Sequence, residues 1–222
     1  MLLSLNNKFF MILDKFDTII FDFDGVIVDS KDIRNYGFKE IFKEYPENLV
    51  RRLIDYHNNN GGISRYEKIK WFYENLLKKN VSQETLNKKA QQFKKIMLNK
   101  MINHNIIIED TLNFIRDIHR ELPCFIISGS DQEELKHICE SLNLNQYFKD
   151  IQGSPTKKVD LIAKFIESYK FQNERILYIG DSIIDYKCAK INNIKFFGFN
   201  NKILKDLSDY YINSFQSIKS KN

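Results

Sequence analysis

Cysteine is scarce in this chain: Cys124, Cys139 and Cys188 are its only three, and none stands at the paired spacing that a zinc site or a Cys-x-x-Cys redox pair requires. They fall in segments that read as strand or helix, so buried thiols in a reducing cytoplasm are expected. Long apolar runs are missing too, and nothing approaches the ~18 residues of a membrane-crossing helix. The apolar stretches Met1 to Leu5 and Phe9 to Leu13 are interrupted by Asn6, Asn7 and Lys8, with no small-residue cleavage site after them, which argues against a signal peptide. A soluble protein is expected, with residues 1 to 15 as an extension leading into the core and residues 1 to 10 dispensable, since Met11 can itself serve as a start. Charge of one sign is not concentrated anywhere. Lys and Arg total 34 against 29 Asp and Glu, a net +5, but the basic residues are scattered, and a solvated surface explains them better than nucleic-acid binding.

What is present is an ordinary packed composition, 43% hydrophobic over 222 residues, enough for one large domain or a medium domain carrying an insertion. Phe16 to Phe21 is a short apolar, β-branched and aromatic run, the pattern of a strand buried on both faces of a parallel sheet. After Ser30 the period becomes helical: Ile33, Tyr36, Gly37, Phe38, Ile41, Phe42 and Tyr45 precede a break at Pro46. Leu49 to Tyr56, Arg65 to Leu77 and Val81 to Met101 continue in the same period, and residues 31 to 106 contain no convincing strand. From Glu109 strands and helices alternate: a helix stopping at Pro123, strand 124 to 127, a helix N-capped by Asp131 and running to Leu142, strand 148 to 152, a helix from Ser154 to Tyr169, strand 175 to 179, helix 182 to 192 and strand 194 to 199. Such alternation predicts a parallel sheet with helices on both faces, whose ligands bind at the carboxyl ends of the strands.

Polar residues stand where those strands end. Asp22 and Asp24 close the first strand; two apart on an extended backbone, they point to one side, and Gly25 lets the chain turn away. Taken alone, an Asp-x-Asp-Gly stretch is equally well a polar turn. Ser128 with Gly129 and Ser130 ends the second strand, Lys157 and Lys158 lie in the turn after the third, and Gly180-Asp181-Ser182 with Asp185 ends the fourth. In the helical block, Ser64 and Glu67 read as a capping box opening a helix after Gly61-Gly62, with Arg65 and Lys68 on one face.

The run Asp22-Phe23-Asp24-Gly25-Val26-Ile27-Val28-Asp29-Ser30, followed in order by Ser128, Gly153-Ser154-Pro155-Thr156-Lys157-Lys158 and Gly180-Asp181-Ser182, resembles the four motifs of the haloacid dehalogenase-like hydrolases over about residues 16 to 200. The resemblance implies an α/β fold: a Rossmann-like three-layer parallel-sheet core (16–30 and 107–222) with an inserted all-helical cap (31–106), nearest to the helical-cap phosphatases and β-phosphoglucomutase-like members. It also implies roles: Asp22 as nucleophile, Asp24 as acid/base, Ser128 and Lys158 holding the phosphoryl group, and magnesium bound by Asp22, Asp24 through its carbonyl, Asp181 and Asp185. Gly129 and Ser130 would donate to the phosphate, and Gly62, Arg65 and Lys68 would contact the substrate from the cap. The implied activity is magnesium-dependent hydrolysis of a sugar or polyol phosphate in the cytoplasm. A sugar phosphomutase and a non-catalytic binding module are the alternatives. Lys158 is favoured over Lys157 by the Gly-Ser-Pro-x-x-Lys spacing, though at this stage both stand. His104, His119 and His137 lie on helical patterns and read as structural. Oligomeric state is closed to the sequence.

Overall fold

The structure is a computed structural model, and it describes residues 13 to 218; most of the expected N-terminal extension, Met11 included, lies outside them. Six strands form one sheet in the order β3-β2-β1-β4-β5-β6, every neighbouring pair parallel. The strands are β1 (Thr18–Phe21), β2 (Cys124–Asp131), β3 (Asp150–Ser154), β4 (Ile176–Gly180), β5 (Lys195–Phe199) and β6 (Tyr210–Ile212). The helices are α1 (Lys31–Ile41), α2 (Glu47–Asn59), α3 (Arg65–Trp71), α4 (Gln83–Lys100), α5 (Glu109–Ile118), α6 (Gln132–Ser141), α7 (Lys158–Tyr169) and α8 (Ile183–Ile191). The first four lie between β1 and β2 as an all-helical cap. The rest follow the strand-helix alternation.

Both faces of the sheet are buried, and the residues of β1 divide between them. Ile19 and Phe21 point to the face covered by α5 and α6, among Phe114, Ile115, Leu135 and Ile138. Ile20 points to the other, among Tyr178, Leu161, Phe165 and Ala189 of β4, α7 and α8. A fully buried side chain of this size contributes about 1.5–3 kcal/mol, which is why the central strands can be apolar on every residue. The cap has an aromatic core of its own, with Phe38 against Phe93 at 4.5 Å and Phe42 against Phe72 at 4.1 Å between ring centroids. Tyr56 and Trp71 stack nearly flat at 3.9 Å.

Element ends depart from the expectation in several places. β2 runs on to Asp131 through a register shift after Ile127 instead of stopping before Ser128. β3 is displaced by two residues, to 150–154, and α7 opens at Lys158, not at Ser154, with Lys157 as its N-cap. The helix from Arg65 changes to π pitch over Phe72–Leu76. Strand β6 was not foreseen; three residues are too few to show a period. At Ser64 only half of the expected capping box forms, the Glu67 amide donating to Ser64 Oγ at 3.3 Å. The complete box is at Ser182 and Asp185. Cys124, Cys139 and Cys188 are free and buried.

The cap is tied to the core through the first turn of α6, whose N-cap Asp131 accepts the Glu134 amide at 3.2 Å. Glu134 is fully buried and accepts Arg34 Nη1 of α1 at 2.6 Å, with Arg65 Nη2 of α3 at 2.5 Å from its other oxygen. Tyr66 donates to Asp131 at 2.9 Å, and Lys94 of α4 pairs with Glu133. Acidic residues at a helix N-terminus sit favourably in its dipole, and here they also receive three of the four cap helices. Removing one partner from a buried ion pair leaves uncompensated charge. Glu134→Gln is therefore expected to lower stability in urea unfolding by about 3 kcal/mol, while Glu133→Gln, whose carboxylate is exposed, costs under about 0.5 kcal/mol. Equal effects of the two substitutions would remove Glu134 from this role.

Candidate active site

The carboxyl ends of β1 and β4 and the start of α7 converge at one point. Asp22, the residue after β1, is buried; its Oδ1 accepts the Phe23 amide at 2.7 Å and lies 2.9 Å from Lys158 Nζ. Lys158 Nζ also donates to Asp185 Oδ1 at 2.6 Å. Asp185 is held further by Tyr178 Oη at 2.8 Å and by the amide and hydroxyl of Ser182, at 3.0 and 2.7 Å, the capping box of α8. Asp181, half-buried, completes a group of three carboxylates, with one oxygen from each of Asp22, Asp181 and Asp185 lying within 4.8 Å of the others. Lys158, the first residue of α7, and not the N-cap Lys157, is the lysine in this site.

Gly25 explains how the turn after β1 reaches Asp181. Its φ is +78°, and a Cβ there would overlap the Asp181 carboxylate, so only glycine fits both the conformation and the space. Asn200 and Asn201 bind the same turns from β5, donating to the Gly25 and Asp181 carbonyls at 3.1 and 2.8 Å.

Burial and the neighbouring Asp185 push Asp22 up to about 8, against the opposing pull of Lys158. Burial and Asp22 likewise raise Asp181. Burial works the same way on Asp185, but Lys158, Ser182 and Tyr178 outweigh it and hold that carboxyl low. Three clustered acids facing one ammonium leave negative charge unbalanced. The donor set is hard oxygen throughout, and both features fit a divalent cation such as magnesium, with Asp22, Asp181 and Asp185 as the carboxylates to hold it.

Asp24 lies on the other wall. It is opposed by burial, but Arg34, Ser30 and Ser130 hold its carboxyl down at about 2. Arg34 reaches both oxygens, with Nε at 3.1 Å and Nη2 at 3.3 Å, Ser130 donates at 2.7 Å, and Ser30 donates to Oδ1. Ser128 Oγ accepts the Ser130 amide at 3.1 Å. Arg34 did not emerge as a site residue from the sequence, nor did Glu134, Tyr178 or His57.

The cap loop closes over this floor. Gly62, at φ +82°, sits beside Lys158, Ser182 and Asp185, and its carbonyl packs on Gly129, where a Cβ would collide with it. The cavity between them, of about 540 Å³, is lined by Asp22, Asp24, Ser128 and Asp181 below and by His57, Arg65 and Lys68 above. Its size is that of a small-molecule site. Arg65 is buried, with its guanidinium 4.8 Å from the centre of Phe93. Lys68 Nζ lies 2.8 Å from His57 Nδ1. Burial, with Arg34 and Lys158 nearby, lowers Lys68 to about 7, and burial with Lys68 lowers His57 to about 2, leaving a neutral imidazole as acceptor.

The carboxylate cluster has a measurable consequence. A carboxyl raised to about 8 binds its proton more tightly in the folded than in the unfolded state, so the metal-free protein loses stability as pH rises from about 4 toward about 8. Magnesium should oppose that loss, raising the Tm most at pH 8; saturation at a hundred times Kd is worth about 2.7 kcal/mol. Asp181→Asn should remove most of the shift. Equal Tm values with and without magnesium at pH 8 would show that the cluster does not bind the ion.

A family model described as haloacid dehalogenase-like hydrolase matches residues 19–199. A curated relative, the phosphorylated carbohydrates phosphatase of Thermotoga maritima, is 22% identical over 190 residues, covering 81% of this chain and 82% of the relative. Among solved structures, β-phosphoglucomutase of Clostridium difficile superposes with a TM-score of 0.75 at 16% identity, covering 92% of this chain and 93% of that one. A Bacillus subtilis HAD-hydrolase, solved bound to magnesium, gives 0.69 at 17% identity, covering 91% and 96%. At such identities the superpositions establish the fold, and the family match over most of the chain establishes more: this chain belongs to the haloacid dehalogenase-like hydrolases.

Proposed function

We propose that the chain is a magnesium-dependent phosphatase that hydrolyses a small organic phosphate monoester, a sugar or polyol phosphate, through a phosphorylated Asp22. The observation that carries this reading is the state of Asp22 itself. It lines the cavity, and both of its contacts, the Phe23 amide and Lys158, fall on Oδ1, leaving Oδ2 for attack on phosphorus. A phosphate monoester is an anion, and a second anion approaches it only where positive charge offsets the repulsion. Lys158 supplies one such charge; a divalent ion held by Asp22, Asp181 and Asp185, with the Asp24 carbonyl, would supply the rest. Ser128 Oγ and the Gly129 amide, at the N-terminal side of α6, would donate to the phosphoryl oxygens, joined by the Ser130 amide when it leaves Ser128 Oγ, to which it now donates at 3.1 Å.

In the first step an Asp22 oxygen bonds to phosphorus, the bond from phosphorus to the substrate oxygen breaks, and Asp24 delivers a proton to the departing alcohol. In the second, water attacks the same phosphorus, Asp24 takes its proton, and the Asp22–phosphorus linkage breaks to release inorganic phosphate. Arg34 holds Asp24 ionised, which readies it as the base of the second step. For the first step Asp24 has to separate from Arg34 and take up the proton that a phosphate group, with its second pKa near 6, carries in part at neutral pH. A phosphomutase is the second reading, favoured by the burial of Asp22, since a mutase must shield its phosphorylated aspartate from water. Steady release of phosphate from a sugar monophosphate with no bisphosphate added separates the two in favour of the phosphatase.

Asp22→Asn keeps the volume of the side chain but removes the nucleophile, and kcat should fall at least about a thousandfold with the circular dichroism spectrum unchanged. With Asp24→Asn and an activated aryl phosphate, whose leaving group needs no proton, a covalent phosphoryl adduct should accumulate because its hydrolysis lacks a base. Mass spectrometry of the quenched enzyme reads the adduct. Turnover of Asp22→Asn within tenfold of the parent would end the proposal.

A further inference from the structure

The turn after β5 reaches the site although none of the four motifs includes it. The β1–β4 ladder ends where the Asp22 amide donates to the Ile179 carbonyl at 2.9 Å. Past it lie two separate turns, one carrying Asp24 and Gly25, the other Asp181 and Ser182, and each is gripped by an asparagine that lines the cavity. Asn200 Nδ2 donates to the Gly25 carbonyl at 3.1 Å, and Asn201 Nδ2 donates to the Asp181 carbonyl at 2.8 Å. The peptide between Asp181 and Ser182 is therefore held at both ends, its carbonyl by Asn201 and its N–H by Asp185 Oδ2 at 3.0 Å. The grip is itself anchored: Gly198 of β5 pairs with Gly180 of β4, and Asn201 Oδ1 accepts the Ile203 amide at 3.2 Å. Asn200 is exposed and has φ +54°, a left-handed conformation that asparagine tolerates better than most residues. Packing does not account for an exposed side chain in that conformation; its contact with the β1 turn does.

We propose that Asn200 and Asn201 are positioning residues for the divalent cation, a strap that sets the separation of the Asp24 carbonyl from the Asp181 carboxylate. The proposal rests on the magnesium-dependent reading above and adds to it two residues that are not themselves ligands. Asp24 directly precedes the gripped Gly25, and Gly25 lies so close to Asp181 that a Cβ on it would overlap the carboxylate. A small slip of either turn therefore changes the gap between two of the oxygens offered to the ion. Magnesium demands near-ideal octahedral geometry, and outer groups that orient its ligands typically change affinity by about 10–100-fold. The acids of the cluster also repel one another while no cation balances them, and a turn fixed by hydrogen bonds to its backbone resists being pushed apart. A neutral amide suits this task. It donates to a carbonyl without bringing a charge that would compete with the ion for the carboxylates, as a lysine in the same place would.

The test measures magnesium binding by isothermal titration calorimetry on the full chain and two variants chosen to spare the backbone. Asn200→Gly keeps the left-handed conformation and removes the donor. Asn201→Ser keeps an oxygen able to cap the Ile203 amide but is too short to reach the Asp181 carbonyl. Each should raise the magnesium Kd by about tenfold, and the two together by up to about a hundredfold, while the Tm without magnesium stays within about 2 °C of the parent. The magnesium concentration for half-maximal phosphate release from an aryl phosphate should rise by the same factor. If Asn201→Ser proves unstable, Asn200→Gly decides alone, since its side chain is exposed. A Kd for Asn200→Gly within about twofold of the parent would overturn the strap. So would a loss of affinity accompanied in both variants by a fall of more than about 5 °C in the metal-free Tm, which marks general loosening. A parent that releases phosphate yet shows neither heat nor a Tm shift with magnesium would overturn the strap together with the metal part of the reading. Magnesium bound by the parent and weakened in both variants, with no phosphate released from any monoester, would support the strap and count against the phosphatase reading.

Discussion

The contact between Lys158 Nζ and two carboxylates, Asp22 at 2.9 Å and Asp185 at 2.6 Å, is the interaction on which the site depends. It gathers acids at one end of the sheet that repulsion would otherwise separate, and it does so in a buried place where each charge is expensive. Lys158 makes both contacts from the first position of α7, just after β3 ends at Ser154. Asp185 is fixed in turn by the α8 capping box and Tyr178. That arrangement decides which acid keeps its charge: Asp185 is held low, while Asp22 and Asp181 are raised. The carboxyls left wanting a counterion are the ones that line the cavity.

A second buried acid does for the cap what Asp185 does for the floor. Glu134 brings Arg34 and Arg65 from two different cap helices to one carboxylate of the core. Because Arg34 also grips Asp24, cap position and the ionisation of Asp24 are physically linked. A cap that swings away takes α1 and α3 with it and releases Asp24 from its strongest partner. The glycines at 62 and 129 belong to the same design, since the missing side chain of Gly129 lets the Gly62 carbonyl approach β2 closely, and Arg65 and Lys68 line the same cavity as Asp22 and Asp181.

Much of the architecture could be read from period and punctuation: the apolar central strands, the helical block between residues 31 and 106, and the alternation after Glu109. The polar strand ends marked where the acids and Ser128 would gather. What escaped was tertiary in origin. Arg34 lies at the spacing of the buried positions Gly37, Phe38 and Ile41, and Glu134 at that of Leu135 and Ile138; a charge on an apolar stripe was the available signal in both cases. Without knowing that the two stripes meet, neither charge names its partner. Strand β6 was hidden by its length. The choice between Lys157 and Lys158 was decided by where α7 begins, a matter of one residue that propensity does not resolve.

The two aspartates of the β1 turn, two residues apart and nearly identical in sequence setting, end up on opposite sides of the ordinary carboxylate range. Their difference is not a property of the turn. Asp22 faces acids from β4 and α8 with one ammonium among them, while Asp24 faces a guanidinium from the cap and two hydroxyls. The strand supplies position; the charge environment of Asp22 comes from Lys158 and Asp185, more than a hundred residues away, and that of Asp24 chiefly from Arg34, ten residues on. An acid/base role for Asp24 therefore depends on α1 more than on the motif that contains it. Arg34, from α1, is the largest of the influences that hold the Asp24 carboxyl ionised against its burial.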